Sequence, residues 1–199
     1  SEIEINLLNE PIGKQDQFAA AVGGLNYIQF NEDDSVQILP IKIEKENLLN
    51  LQNQILLLFT GKTRSASKIL KLQNQNLLNN NTILITKKMV ELTNFFKKSL
   101  ENFDIDAINQ ILNENWELKK SLASNISNLE IDEMILKSKK LGANSAKILG
   151  AGNGGFLMLI APQEKHLNIV KNLGLKHVPV KFDNVGTINV ESSNIFDKN

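Results

Sequence analysis

Gly150-Ala151-Gly152-Asn153-Gly154-Gly155-Phe156-Leu157-Met158-Leu159-Ile160 is the stretch whose reading decides the fold. Gly150, Gly152 and Gly155 formally satisfy G-x-G-x-x-G. That pattern binds a dinucleotide only where a helix follows the third glycine and offers its N-terminus to the pyrophosphate. Here an apolar run follows at once, which reads as a strand, and no parallel β-α-β unit surrounds it. The dinucleotide reading is therefore rejected. Two readings remain: a wide hairpin loop whose glycines supply positive φ, or a glycine loop packed beside a bound phosphate. The second is favoured, and either one makes residues 146–149 and 156–160 a pair of strands.

Working outward, the neighbouring segments fall into an α+β order. Residues 25–30 and 36–43 read as strands about a turn at Asp33-Asp34, giving a hairpin. Residues 46–52 suit a short helix, and 55–60 form a continuous apolar run suited to a central buried strand. A polar turn at 61–65 leads into a helix from about Ser67. Asn79-Asn80-Asn81 reads as a loop or a helix start. Met89, Val90, Thr93, Phe96 and Leu100 recur at helical spacing, as do Ile105, Ile108, Ile111, Leu112, Leu118 and Leu122. Asp104 is a plausible N-cap for the second of these. Residues 131–141 predict a helix stopped by Gly142, and 164–173 another ended by Gly174. Residues 176–182 and 187–190 are expected as closing strands, followed by a polar, frayed tail. The expected layout is an antiparallel sheet covered by helices.

Bulk properties narrow the function classes. The 199 residues carry 22 basic and 22 acidic side chains and no cysteine. Zero net charge argues against a nucleic-acid protein, which needs a basic surface for phosphates. The absence of cysteine excludes disulfides and thiolate metal sites. No apolar run reaches a membrane span and no leader peptide is visible, so the default expectation is a cytoplasmic protein with no membrane partner. No metal-ligand constellation is present. The opening residues read as the last turns of a helix, which suggests truncation; missing strands would expose a sheet edge and favour a homo-oligomer.

Three clusters invite chemistry. Gly13-Lys14-Gln15-Asp16-Gln17 places one carboxylate between amides and a lysine at the head of a small-residue helix. Asp16 reads equally as a first-turn helix acid and as a base or anchor for a substrate hydroxyl. In the latter case Gln15 and Gln17 supply amide contacts and Lys14 keeps the carboxylate ionised. Thr60-Gly61-Lys62-Thr63-Arg64-Ser65 offers Arg64, Lys62 and hydroxyls to an anion such as a sugar phosphate, with a solvated turn as the equal alternative. It lacks the upstream glycine of a P-loop. Trp116, Lys119 and Lys120 share one helix patch, more readily explained by a core-edge aromatic with solvated lysines than by a ligand role. His166 and His177 receive no role.

The Gly13–Gln17 segment, the alanine-rich run to Gly23-Gly24 and the later Gly150–Phe156 loop together resemble the GHMP kinase superfamily, and most closely its D-glycero-D-manno-heptose 7-phosphate kinase branch. Supporting stretches are Thr60-Gly61 with Arg64-Ser65-Ala66, then 112–120 and Ser127-Asn128. The resemblance spans nearly the whole chain and rests on the order of motifs that are modest singly. It implies a ferredoxin-like C-terminal α/β sandwich over 44–199 and a remnant of the N-terminal domain over 1–43. It implies that Asp16 faces the acceptor hydroxyl and that Gly150, Gly152, Gly154 and Gly155 form the glycine loop near the nucleotide phosphates. Asn153 stands where the family usually has glycine, which implies a stiffer or differently shaped loop. Lys14, Gln15, Arg64 and Lys119 become candidates for substrate binding. ATP and Mg2+ are implied for the intact enzyme. The family's Pro-x-x-x-Gly-Leu-Gly-Ser-Ser triphosphate loop is absent from these residues. The expectation is therefore the C-terminal portion of a sugar kinase, inactive as a fragment, with its metal ligands elsewhere. A galactokinase-like or mevalonate-kinase-like acceptor, or a non-catalytic α+β binding module, is the alternative.

Overall fold

The computed structural model describes residues 3–9, 12–62, 69–70 and 79–188. A single π-helical turn, Ile3–Leu7, precedes α1 (Gln15–Val22). The hairpin β1 (Asn26–Phe30) and β2 (Val36–Pro40) follows, then α2 (Lys45–Gln54) and β3 (Ile55–Phe59). Next come α3 (Asn80–Glu101), α4 (Ile105–Lys120) and α5 (Leu129–Lys140). The strands β4 (Ser145–Ile148) and β5 (Phe156–Ile160) flank the glycine loop. A 3-10 turn, Gln163–Lys165, leads into α6 (His166–Leu173) and β6 (Lys176–Val178) closes the sheet.

The main sheet has the order β4-β5-β3-β6 and every neighbouring pair is antiparallel. With helices between β3 and β4 and between β5 and β6, this is the ferredoxin-like arrangement. β3 is its centre: Ile55 pairs with Ile160 on one side and Phe59 with Lys176 on the other. Period-2 alternation explains why β3 is apolar throughout. Leu56 and Leu58, with Leu157 and Leu159 of β5, enter one fully buried cluster with Trp116, Ile131 and Ile169. Ile55, Met158 and Ile160 pack in a second cluster with Leu51, Leu100 and Ile108. Both faces are covered, so a half-polar strand would not fit.

Local signals act as their chemistry requires. Asp104 caps α4 by accepting from the Ala107 amide at 3.0 Å, and Asn79 caps α3 by accepting from Asn81 at 2.9 Å. Gly174 ends α6 in the left-handed region at φ 67°. The hairpin turn carries Asp34 at φ 64° and is tied by Ser35, whose amide donates to Asp33 Oδ1 at 3.0 Å. Leu25 and Ile41, at the open end of the hairpin, pack against the Leu51–Leu100–Ile108 cluster.

Three expectations need correction. The strand expected over 36–43 ends at Pro40. The strand expected over 176–182 ends at Val178, because Pro179 has no N–H to give the ladder. Thr187 and Ile188 are not in a strand; the rest of that segment lies outside the described residues. Instead the 183–187 segment seals the end of α1. Gly24 donates to the Asp183 carbonyl at 2.6 Å, and the Thr187 hydroxyl donates to the Ala20 carbonyl at 3.1 Å. Gly23 and Gly186 meet there so closely that a Cβ on Gly23 would sit 2.3 Å from the Gly186 nitrogen.

Candidate functional site

A cleft of about 600 Å³ lies between the start of α1 and the glycine loop. Gly13, Gln15 and Asp16 line it from one side. Asn115 and Lys119 of α4, Lys147 of β4, and Gly150 and Ala151 line the other. Two sequence-expected elements, Asp16 and the glycine loop, thus face one cavity although 134 positions separate Asp16 from Gly150.

The loop's shape follows from its backbone. Gly150, Gly152, Gly154 and Gly155 all have positive φ, and Asn153 joins them at 57°. Gly152 is tighter than Gly154: a Cβ there would lie 2.6 Å from the Ile126 carbonyl oxygen, against 3.2 Å from the Lys62 side chain at Gly154. Asn153 sits in the left-handed region that asparagine tolerates best among non-glycines. Its amide donates to the Ile126 carbonyl at 2.7 Å, and its side-chain oxygen accepts from Asn128 Nδ2 at 2.6 Å. Asn128 is also the N-cap of α5, accepting from the Ile131 amide at 3.0 Å. Asn153 therefore locks the loop to the head of α5, a use of the side chain that sequence reasoning missed.

The loop's other end closes on β3. The Gly155 amide donates to the Lys62 carbonyl at 3.0 Å, and its carbonyl accepts from the Thr60 amide and hydroxyl at 2.9 and 3.0 Å. The Thr60 hydroxyl is buried and committed to this contact, and Lys62 pairs with Glu130. Neither lines the cleft, so this part of the expected anion cluster ties the loop in place. Thr63, Arg64 and Ser65 lie outside the described residues.

Around Asp16 the expected helpers are differently employed. Lys14 turns away to Asp34 of the hairpin turn, at 3.2 Å. Gln17 donates to Glu4. Gln15 is the one flanking amide that lines the cleft with Asp16. Trp116 is 1% exposed, which makes it a core side chain. Lys120 pairs with Glu117 at 2.8 Å, whereas Lys119 reaches the glycine loop and donates to the Gly150 carbonyl.

Lys147 was not foreseen. It lies within β4 between buried Ala146 and Ile148, so alternation sends its side chain to the opposite face. There it donates to Asn115 Oδ1 at 2.8 Å. Burial, and secondly the nearby Lys119 charge, lower its pKa from the usual 10.5 to about 8. The signal in the sequence was a single lysine in an apolar strand directly before the glycine run. Among the described residues no group of three His, Cys, Asp or Glu converges as a metal site.

This architecture is that of the GHMP kinases: residues 96–174 match the family model described as GHMP kinases C terminal, and the chain is homologous to sugar kinases of that group. The D-glycero-alpha-D-manno-heptose 7-phosphate kinase of Campylobacter jejuni is 30% identical over 172 residues, covering 86% of this chain and 51% of the relative. A D-glycero-D-manno-heptose 1-phosphate kinase structure from Bacteriodes thetaiotaomicron is 26% identical at TM-score 0.63, covering 93% of this chain and 51% of that one. The galactose complex of Lactococcus lactis galactokinase shares the fold at TM-score 0.68 with 14% identity, covering 94% of this chain and 58% of that one. The chain therefore spans about half the length of the heptose kinases it matches. No helix among the described residues is long and apolar enough to cross a membrane.

Proposed function

We propose that this chain carries the acceptor side of a sugar kinase that transfers the γ-phosphoryl group of ATP to a hydroxyl of a phosphorylated sugar, D-glycero-D-manno-heptose 7-phosphate being the acceptor. The observation that carries this reading is the shared cleft, with the Asp16 carboxylate on one wall and Lys119, Lys147 and the glycine loop on the other. Its volume of about 600 Å³ suits a sugar phosphate with part of a second ligand. The relatives with heptose phosphate kinase names support the choice of acceptor. In this reading residues 1–43 are a remnant of the kinase's N-terminal domain and 44–199 its C-terminal domain.

The chemistry asks little covalent work of the protein. The acceptor oxygen forms a bond to the γ-phosphorus while the bond to the β–γ bridging oxygen breaks, and ADP leaves. Asp16 receives or orients the proton of the attacking hydroxyl. The lysine-lined wall holds negative charge that would otherwise repel the carboxylate. These 199 residues contain no Gly-Leu-Gly-Ser-Ser triphosphate loop, so turnover in this account requires a segment outside them. A magnesium ion would accompany ATP; among the described residues no group of three His, Cys, Asp or Glu converges to hold it.

The test is ATP consumption by the full-length gene product, with heptose 7-phosphate, galactose and mevalonate offered separately. Turnover with the heptose phosphate alone is the expected result. Preference for galactose or mevalonate would overturn the acceptor, and no turnover with any of the three would overturn the kinase reading.

A further inference from the structure

Lys147 is an odd residue to find in a four-residue strand whose neighbours are buried. A cation taken partly out of water is unfavourable unless something compensates it. The group that receives its hydrogen bond, Asn115 Oδ1 at 2.8 Å, is a neutral amide. The nearby charge, Lys119, is of the same sign and makes matters worse. On its far side Lys147 borders a smaller cavity of about 150 Å³, lined by Leu92, Phe96, Ile111 and Leu112, which offers no charge. On its near side it faces the main cleft. Among the described residues, the charged groups lining that cleft are Asp16 from α1, Lys119 from α4 and Lys147 from β4. Two ammonium groups directed at one cavity are relieved by a dianion between them.

We propose that Lys147 and Lys119 form an anion subsite for the phosphate that the acceptor sugar already carries, with Asn115 holding the Lys147 ammonium in place. This rests on the reading of the cleft as a phosphorylated-sugar site and adds the residue that makes the enzyme require the phosphate. The sugar would extend from this subsite toward Asp16, which meets the reacting hydroxyl. Lys147 is a specificity residue in this arrangement: it acts on acceptor affinity and leaves the nucleotide side alone.

The experiment is calorimetric binding to the full-length protein without nucleotide, using heptose 7-phosphate, the unphosphorylated heptose, and sulfate as a dianion that does not titrate. Wild type should bind the phosphorylated sugar tighter by about tenfold or more, the worth of one charge-assisted hydrogen bond. Lys147→Met should remove most of that preference, and in turnover assays should raise KM for the acceptor with KM for ATP unchanged. Sulfate binding should weaken in wild type between pH 7 and pH 9.5, because Lys147 loses its proton near pH 8. Lys147→Arg should keep binding sulfate at pH 9.5, since guanidinium stays charged. An unchanged sugar-phosphate preference in Lys147→Met, or a raised KM for ATP instead, would overturn the proposal. Should Lys147→Met fail to fold, the comparison of wild type with Lys147→Arg decides alone: equal pH dependence in the two overturns it. Failure of wild type to bind either sugar would count against the acceptor assignment, while the sulfate arm would still judge the lysine subsite.

Discussion

The two walls of the cleft are built in opposite ways. The glycine-loop wall stands on β4, β5 and α4, whose side chains Ile148, Leu157, Leu159 and Trp116 are essentially excluded from solvent. Its turn is pinned at both ends, to Ile126 and Asn128 and to Thr60 and Lys62. The Asp16 wall is a two-turn helix with no buried residue. It is held by Phe18 set edge-on against Phe30, at 6.0 Å between ring centres, and by backbone bonds to the 183–187 segment. The difference teaches that precision on one side is set by packing within the sheet domain, and on the other by a few contacts at the helix ends. In the proposed reading, the firmly packed wall would hold the acceptor and the lightly anchored Asp16 would meet its hydroxyl.

The contrast can be broken most forcefully at Gly152. Its φ of 108° and its approach to the Ile126 backbone leave no room for a methyl. Gly152→Ala should lower unfolding free energy by about 3 kcal/mol, read from denaturant midpoints. Next is the pH dependence contributed by Lys147. Its native pKa of about 8 lies below the usual 10.5, so the native state gives up this proton first. Stability should therefore rise as pH goes from about 8 to about 10.5, by roughly 3 kcal/mol in wild type relative to Lys147→Met. A flat difference between the two proteins would mean that Lys147 is as well hydrated as a surface lysine.

Smaller effects sharpen the same comparison. Asn128→Ala removes both the α5 cap and the link to Asn153, and should cost about 1–2 kcal/mol. Gly13→Ala, on the other wall, meets nothing within 4 Å and should change stability by less than about 0.5 kcal/mol. Amide exchange should rank the walls likewise, with α1 exchanging well before α4 and β5. Equal protection of α1 and β5 would contradict the asymmetry.

Much of the sheet domain was legible because its signals are local. The apolar run Phe156–Ile160 fixes β5, Asp104 fixes the start of α4, and Gly174 the end of α6. The joint presence of Asp16 and the glycine loop in one cleft was legible through the order of motifs shared with the GHMP kinases. What escaped the sequence depends on partners far along the chain. Lys14 pairs with Asp34 because the hairpin turn comes back past α1. Lys147 matters because α4 brings Asn115 and Lys119 beside it, and a lone lysine in an apolar strand does not announce that. Thr60 and Lys62 looked like anion ligands by composition, yet the Thr60 hydroxyl is taken by the Gly155 carbonyl and the Lys62 ammonium by Glu130. The early end of β6 was readable at Pro179, where a missing donor outweighs the apolar alternation around it.

In the proposed mechanism Asp16 acts on the acceptor hydroxyl. Its most direct test is the turnover of full-length Asp16→Asn with heptose 7-phosphate and ATP, measured beside its unfolding midpoint. kcat should drop by about 10²-fold or more, while the midpoint should stay near that of wild type because Asp16 is exposed and buries nothing. Turnover close to wild type in the folded variant would contradict it and remove Asp16 from the chemistry.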